Sequence, residues 1–511
     1  MKNHNLWVAL RAAFPNDLDE TAIETADAPA SLRYSWRDLD RGTAMLAHLI
    51  DSLDLPPHSR VAVQTEKSVE ALMLYLAVLR AGHVYLPLNM AYQAGELSYF
   101  IGNAEPALVV CAGKNFGWVS QIAFAAGTRH VFTLDDDRQG TLLERAAYHP
   151  DTHTPALRKA GDLAAILYTS GTTGRSKGAM LTHGNLLSNA QVLNSYWGWQ
   201  PGDVLLHALP IFHVHGLFVA SHGALLSASK MIWFAHFDAR AVVARLPDAT
   251  VFMGVPTLYV RLLGEPGLTR DACRRMRLFI SGSAPLLIET FNDFRQRTGH
   301  TILERYGMSE TIMLTSNPYR PESARRGGTV GLPLPGVSVR VHSDAGALMH
   351  TGEIGGIEVK GPNVFKGYWR MPEKTADEFT TDLWFKTGDV GRIDDDGYLT
   401  LIGRSKDLVI SGGFNVYPAE VEAALNELPG VAESAVVGVP HPDFGEAVVA
   451  VLVPRPGAVL EEAAVIGAMK SRIANFKVPK RVFVLAELPR NAMGKVQKNL
   501  LREQHQGLFP P

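Results

Sequence analysis

The residues best suited to chemistry are concentrated in Tyr168-Thr-Ser-Gly-Thr-Thr-Gly-Arg-Ser-Lys177-Gly178, directly after the apolar run Leu163 to Leu167. Glycines at 171, 174 and 178 let the backbone turn tightly and bring its N–H groups close to a ligand. The hydroxyls of Thr169, Ser170, Thr172 and Thr173 add side-chain donors, and Lys177 adds charge. A strand, a donor-rich loop and a cation in that order hold a polyphosphate. The spacing is not the Gly-x-x-x-x-Gly-Lys-Ser/Thr of the common P-loop, because Gly171 and Gly174 lie closer together and Lys177 precedes Gly178. A solvated Gly/Ser/Thr turn is the bland alternative, and it does not account for so many specific positions in a row.

Five further segments carry candidate groups. Pro210-Ile-Phe-His213-Val-His215-Gly216 brings two histidines together without a third ligand at useful spacing, so no metal is expected there. In Val251 to Leu263 a strand, turn and helix are expected, with Thr257 as the helix cap and Arg261 one turn later on the same face. A guanidinium so placed is either a surface group paired with Glu265 or one that grips a carboxylate through two parallel hydrogen bonds. Leu278-Phe-Ile-Ser281-Gly282-Ser283-Ala284-Pro285 is a strand ending in a small-residue turn that leaves room for a flat ring. Glu304-Arg-Tyr306-Gly307-Met308-Ser309-Glu310-Thr311 repeats that logic: Tyr306 can stack on a purine, and Glu310 is a hard oxygen ligand for Mg²⁺. Asp389, after Thr387-Gly388, can accept two ribose hydroxyls, with Arg404 as a support for ribose or phosphate. Lys495 follows Gly494, where the default for a lysine is solvent exposure.

Taken in this order, the segments resemble the adenylate-forming superfamily, which contains acyl- and aryl-CoA synthetases, peptide-synthetase adenylation domains and firefly luciferases. Tyr168 to Gly178 is similar to its phosphate-loop signature, with Ser176 where many members have Pro. The resemblance covers nearly the whole chain and implies ATP, Mg²⁺ and coenzyme A. It implies that Thr169 and Glu310 hold the metal while Ser170, Gly171, Thr172, Thr173, Gly174 and Lys177 hold the β- and γ-phosphates. Gly282, Ser283, Ala284, Tyr306, Gly307, Met308 and Ser309 match the adenine-contact segments, and Asp389 and Arg404 the ribose and phosphate contacts. His213 and Ser281 match acyl-pocket positions, Gly412 and Gly413 the thiol-tunnel glycines, Lys406 the hinge, and Lys495 the adenylation lysine. With Arg261 beside His213 and Ser281, the chain is most similar to the malonyl-CoA synthetases, so malonate or methylmalonate is the expected acid. The alternatives are a CoA ligase for another small, medium-chain or aryl acid, and a stand-alone adenylation enzyme that loads a carrier protein. A lysine acetyltransferase acting on Lys495 would stop adenylation by removing its charge.

The elements that must position these groups read as βα layers. A helix is expected from Trp36 to Ile50, a strand at Arg60 to Gln64, a helix from Val69 to Arg80 stopped by Gly82, and strands near Leu108 and His130. That alternation argues for a mostly parallel sheet with helices on its faces. Residues 138–161 read as a surface connection. Short strands between residues 331 and 403 suggest a barrel-like subdomain, and residues 404–511 a compact α+β unit. The expected class is therefore α/β, with a large domain over 1–403 and a small mobile C-terminal domain over 404–511, hinged near Lys406.

Composition sets the outer limits. At 511 residues the chain exceeds a single core, and 46% apolar with 20% charged residues describes an ordinary globular protein. A formal net charge of −2 gives no nucleic-acid or anionic-membrane footprint. The two cysteines, Cys111 and Cys273, cannot build a disulfide framework and point to a reducing compartment. No signal-length apolar segment opens the chain and no stretch reaches the ~20 apolar residues of a bilayer span. A soluble cytoplasmic protein is expected.

Overall fold

Alternating apolar strands and helices in the first part of the chain build two mostly parallel sheets. The computed structural model describes residues 2–26, 31–169, 176–343, 345–411, 414–491 and 494–510. Its contacts divide the chain into one unit of Met1–Ser338 with Lys360–Leu383 and a second of Val339–Val359 with Trp384–Pro511.

In the first unit a six-stranded sheet runs in the order His130–Thr133, Leu108–Cys111, Arg60–Gln64, Val84–Pro87, Leu163–Thr169, Lys177–Thr182. Its pairs are parallel except the last, which is antiparallel. A nine-stranded sheet carries Val204–His207, Val251–Gly254, Leu278–Ser281 and Leu303–Tyr306 as parallel central strands. The helices form as their sequences dictate. Trp36–Ser52 starts at a capping box between Ser35 and Asp38. Val69–Arg80, apolar on nearly every side, is buried throughout. The connection at 138–161 is not wholly irregular, since it contains the short helix Thr141–Ala146. Both cysteines are buried free thiols, and burial pushes each up to about 12.

After the phosphate-loop stretch Lys177 opens a strand that folds back on Leu163–Thr169, and the helix His183–Tyr196 follows. One local expectation is corrected. Thr257 is not a cap. Pro256 takes the first helical position of Pro256–Leu263, where its missing N–H costs nothing, and Val255 precedes it without a side-chain cap.

In the second unit, Ser338–His342, Gly355–Lys360, Phe385–Ile393 and Leu399–Arg404 lie side by side in one four-stranded sheet. The long hairpin Val431–His441 with Gly445–Pro454 anchors a second sheet. Its alternation is buried on both faces. Val436, Val448, Ala450 and Leu452 pack with Val421, Leu425 and Met469 on one side. Val437, Val439, Val449 and Val451 pack with Leu488 and Leu501 on the other. No helix among the described residues is long and apolar enough to cross a membrane.

Candidate active site

The antiparallel pairing sets Thr169 directly opposite Lys177, with Thr169 Oγ1 3.5 Å from the Lys177 carbonyl. The far edge of the Lys177–Thr182 strand is taken by residues 366–369. Met180 N–H donates to Gly367 O at 3.0 Å, Lys366 N–H to Met180 O at 2.9 Å and Trp369 N–H to Gly178 O at 2.8 Å. This pairing carries Tyr368 to the loop stem. The Lys177 ammonium lies 4.2 Å from the Tyr368 ring centroid and 3.2 Å from Glu378 Oε1. The Tyr368 hydroxyl in turn donates to Glu310 Oε1 at 3.0 Å. A cation suited to phosphate and a carboxylate suited to a divalent metal are thus joined through one aromatic side chain. Glu310 and half-buried Thr169 are both oxygen donors, the type Mg²⁺ takes.

Glu310 stands in a loop fixed from several directions. Its carbonyl accepts from Phe365 N–H at 2.8 Å, and Asn363 Nδ2 bridges Thr311 O at 2.6 Å and Met313 O at 2.9 Å. Asn189 Nδ2 also donates to Met313 O, at 2.8 Å. Gly307 is required by space, because a Cβ there would stand 1.9 Å from Ile312 O. Ile312 itself has φ 57°, and Ser283 has φ 73°. Left-handed backbone at a β-branched residue costs about 1–3 kcal/mol and persists where surrounding contacts impose it. Tyr306 is buried at the strand end, while Gly307, Met308 and Ser309 are half-buried.

The turn after Leu278–Ser281 gathers buried polar groups. Ser281 is 1% exposed and its Oγ has no hydrogen-bond partner. The Cβ that Gly282 lacks would sit 2.5 Å from both Cζ and Nη1 of Arg305, so the guanidinium lies flat against that backbone. Ser283 Oγ is 3.4 Å from His215 Nδ1, and Ala284 is half-buried. Burial, then the charge of Arg305, hold His215 well below the ordinary imidazole range, so it is neutral. His213 is half-buried and its Nδ1 accepts from His215 N–H at 3.2 Å. Arg261 is exposed, and among the described residues no ion pair with Glu265 holds it. It does not stand in a dry pocket within this unit.

In the second unit Asp389 and Arg404 face each other across two antiparallel strands, with Arg404 Nε 2.6 Å from Asp389 Oδ1. Asp389 is 5% exposed, and its N–H donates to Thr387 Oγ1 at 3.1 Å. Lys406 lies in the short turn Ser405–Asp407, where burial lowers its amine and Asp407 opposes the shift. Lys495 leaves a turn in which its N–H donates to Asn491 Oδ1 at 3.0 Å, and Arg490 Nη1 braces Gly494 O at 2.6 Å. Lys495 is exposed as a whole residue, while desolvation around its amine brings it down to about 8, assisted by Arg404 and Lys406 and opposed by Asp389 and Asp407. An amine tuned so close to neutrality is typical of functional lysines.

Comparison with known proteins identifies the family. The AMP-binding enzyme family matches residues 12–369, and its C-terminal domain matches residues 420–495, ending on Lys495. The chain belongs to the AMP-binding enzymes. It is 35% identical over 479 residues to a malonate–CoA ligase of Arabidopsis thaliana, covering 87% of this chain and 78% of that protein. It is 34% identical over 492 residues to a mitochondrial malonate–CoA ligase of Mus musculus, covering 88% and 82%. Among solved structures, ATP-bound MatB from Rhodopseudomonas palustris is 52% identical with a TM-score of 0.96, covering 99% of this chain and 100% of that one.

Of the residues the motifs single out in this AMP-binding enzyme, Thr169, Lys177, Glu310, the Ser281–Ala284 turn and the Tyr306–Ser309 segment fall in one unit. Asp389, Arg404, Lys406 and Lys495 fall in the other. Ser170, Gly171, Thr172, Thr173, Gly174, Gly412 and Gly413 lie outside the described residues. Motif reading passed over Tyr368, Glu378, Asn363 and Arg305. Only Arg305 had a local signal, a charge inside a strand otherwise bound for burial.

Proposed function

We propose that this chain is an AMP-forming malonate–CoA ligase that also accepts methylmalonate. A carboxylate is inert toward thiols because its leaving group is poor, and joining it to AMP supplies a good one. In the first step a malonate oxygen attacks the α-phosphorus of ATP and pyrophosphate leaves. In the second the CoA thiol attacks the acyl carbon and AMP leaves, giving malonyl-CoA. Both steps depend on positioning and charge stabilisation.

In this reading Lys177 and residues 169–174 hold the β- and γ-phosphates. Thr169 and Glu310 hold Mg²⁺, which when bound neutralises phosphate charge. The Gly282–Ala284 and Tyr306–Ser309 segments cradle adenine, and Asp389 with Arg404 receives the ribose. Arg261, His213 and Ser281 border the acid. Lys495 bridges the acid and the α-phosphate in the first step and has no further use in the second, when Gly412 and Gly413 admit the thiol. One small domain cannot present both faces at once, so a hinge at Lys406 between domains 1–403 and 404–511 follows. The protein works in the cytoplasm on dissolved substrates.

The observation that supports this reading most strongly is the malonate–CoA ligase naming of relatives matching at least 87% of the chain. The test is acid-dependent pyrophosphate release with ATP, Mg²⁺ and CoA across malonate, methylmalonate, succinate, oxalate, acetate, octanoate and coumarate. Malonate should lead. A neutral acid in first place would reject the substrate and keep the family, and transfer only to a carrier protein would reject CoA as the acceptor.

A further inference from the structure

A carboxylate and two imidazoles meet near the surface of the first unit. His48 and Asp51 stand on one face of the helix Trp36–Ser52, a single turn apart. His153 reaches them from the connection at 138–161, and a ring nitrogen of each histidine and an oxygen of Asp51 lie within 4.8 Å of one another. His153 Nε2 is 2.8 Å from Asp51 Oδ2. The two histidine rings meet edge to face with centroids 4.7 Å apart. None of the three belongs to a segment that the ATP or acid chemistry uses.

The fold holds this group in place without saturating it. The side chain of His153 is 5% exposed, and its Nδ1 is buried without a hydrogen-bond partner. Its main chain is fixed as well, since His153 O accepts from Arg80 Nη2 at 2.7 Å. His48 Nε2 lies 2.7 Å from Thr152 O. The tautomer that donates there keeps its lone pair on Nδ1, and a carbonyl behind the ring is how metal-bound imidazoles are commonly oriented. The neighbouring cations are already neutralised, Arg80 by Asp40 at 2.9 Å and Arg41 by Asp151 at 3.0 Å. Asp51 pairs with His153 and with no lysine or arginine among the described residues.

We propose that His48, Asp51 and His153 bind a divalent transition cation of the Zn²⁺ type, with water in the remaining position. Two imidazole nitrogens and one carboxylate oxygen suit such an ion, whereas Mg²⁺ takes oxygens. Zn²⁺ bonds these atoms at about 2.0–2.2 Å, which sets tetrahedral ligands about 3.3 Å apart. Separations of at most 4.8 Å therefore close by about 1.5 Å or less, a distance that side-chain rotation covers. The bound ion joins the helix Trp36–Ser52 to the connection that feeds the strand Leu163–Thr169. It clamps that connection and takes no part in the chemistry at Thr169 and Glu310. The plain alternative is that Asp51 and His153 tie the connection down by themselves, as an ion pair.

The experiment titrates the full chain with Zn²⁺, in excess Mg²⁺ and without ATP, in wild type, His48→Gln, Asp51→Asn and His350→Gln, the last an exposed histidine of the second unit. Wild type and His350→Gln should bind with the same affinity. His48→Gln and Asp51→Asn should each weaken binding by at least about tenfold, since loss even of a group that only orients a metal ligand costs that much. Thermal unfolding of wild type should shift upward with Zn²⁺, and less in those two variants. Chymotryptic cleavage after Tyr148, 90% exposed and shortly before His153, gives a readout in wild type that stands even if a variant fails to fold. Zn²⁺ should slow that cleavage severalfold relative to an unstructured peptide in the same tube. Absence of saturable binding, cleavage unchanged at saturating Zn²⁺, or equal affinity in folded His48→Gln and Asp51→Asn overturns the proposal, the last by showing adventitious ions on other histidines only. Each of these results leaves the malonate reading intact.

Discussion

The Tyr368 hydroxyl donates to Glu310 Oε1 at 3.0 Å. Its ring at the same time lies 4.2 Å from the Lys177 ammonium. The two contacts separate by substitution. Tyr368→Phe keeps the ring and leaves buried Glu310 short of a charge-assisted bond, which costs about 1.5–3 kcal/mol. Urea unfolding should show that loss, and kcat/KM for ATP should fall about tenfold, most strongly at low Mg²⁺. An unchanged response to Mg²⁺ would mean that Glu310 does not meet the metal.

Lys495 supplies a pH signature. Its amine is brought down to about 8 by desolvation and then by Arg404. The charge proposed to bridge acid and α-phosphate is present below that value and lost above it, so adenylate formation should decline as pH rises through about 8. Thioester formation from supplied acyl-AMP should not decline there. Lys495→Ala should lower the first reaction by about 100-fold or more at every pH and spare the second, and acetylation of Lys495 should do the same. The stability sign is opposite. Between about 8 and 10.5 the unfolded chain holds a proton on this lysine that the folded chain has released, so unfolding free energy should rise with pH across that window in wild type and not in Lys495→Ala. Half-reaction rates and urea titrations over this range check both.

Gly282→Ala tests packing at the polar turn. The added Cβ would stand 2.5 Å from Arg305 Cζ, closer than real atoms approach, so the guanidinium must move within a buried site. Overpacking of this kind costs about 1–3 kcal/mol. Thermal unfolding should register the loss, and an unchanged midpoint would mean that the Arg305 guanidinium has room to move.

What the sequence reveals is local. Apolar runs of strand and helix length mark Arg60–Gln64 and Val69–Arg80, which are buried along nearly their whole length. The Lys177–Thr182 strand is hidden, since Lys-Gly-Ala-Met-Leu-Thr carries no alternation and a capped helix begins immediately after it. Thr257 is mistaken for a cap because a hydroxyl outranks proline in capping preference, while Pro256 decides the position by fitting the first helical turn. Glu310 and Lys177 are legible from motifs, but their link through Tyr368 is a contact between segments far apart in the chain. Arg305 is in plain view beside Tyr306, and the lack of hydrogen-bond partners at its buried Nε and Nη2 emerges only from three-dimensional accounting.

The pairing of residues 366–369 with Lys177–Thr182 also bears on how the protein is made. On the ribosome the phosphate hairpin emerges long before the segment that covers its outer edge. Throughout that interval a row of unpaired N–H and C=O groups faces solvent, an invitation to pair with the wrong strand. The nascent chain therefore carries an unguarded strand edge between the synthesis of residue 182 and that of residue 369, and a stall in this window would prolong that exposure.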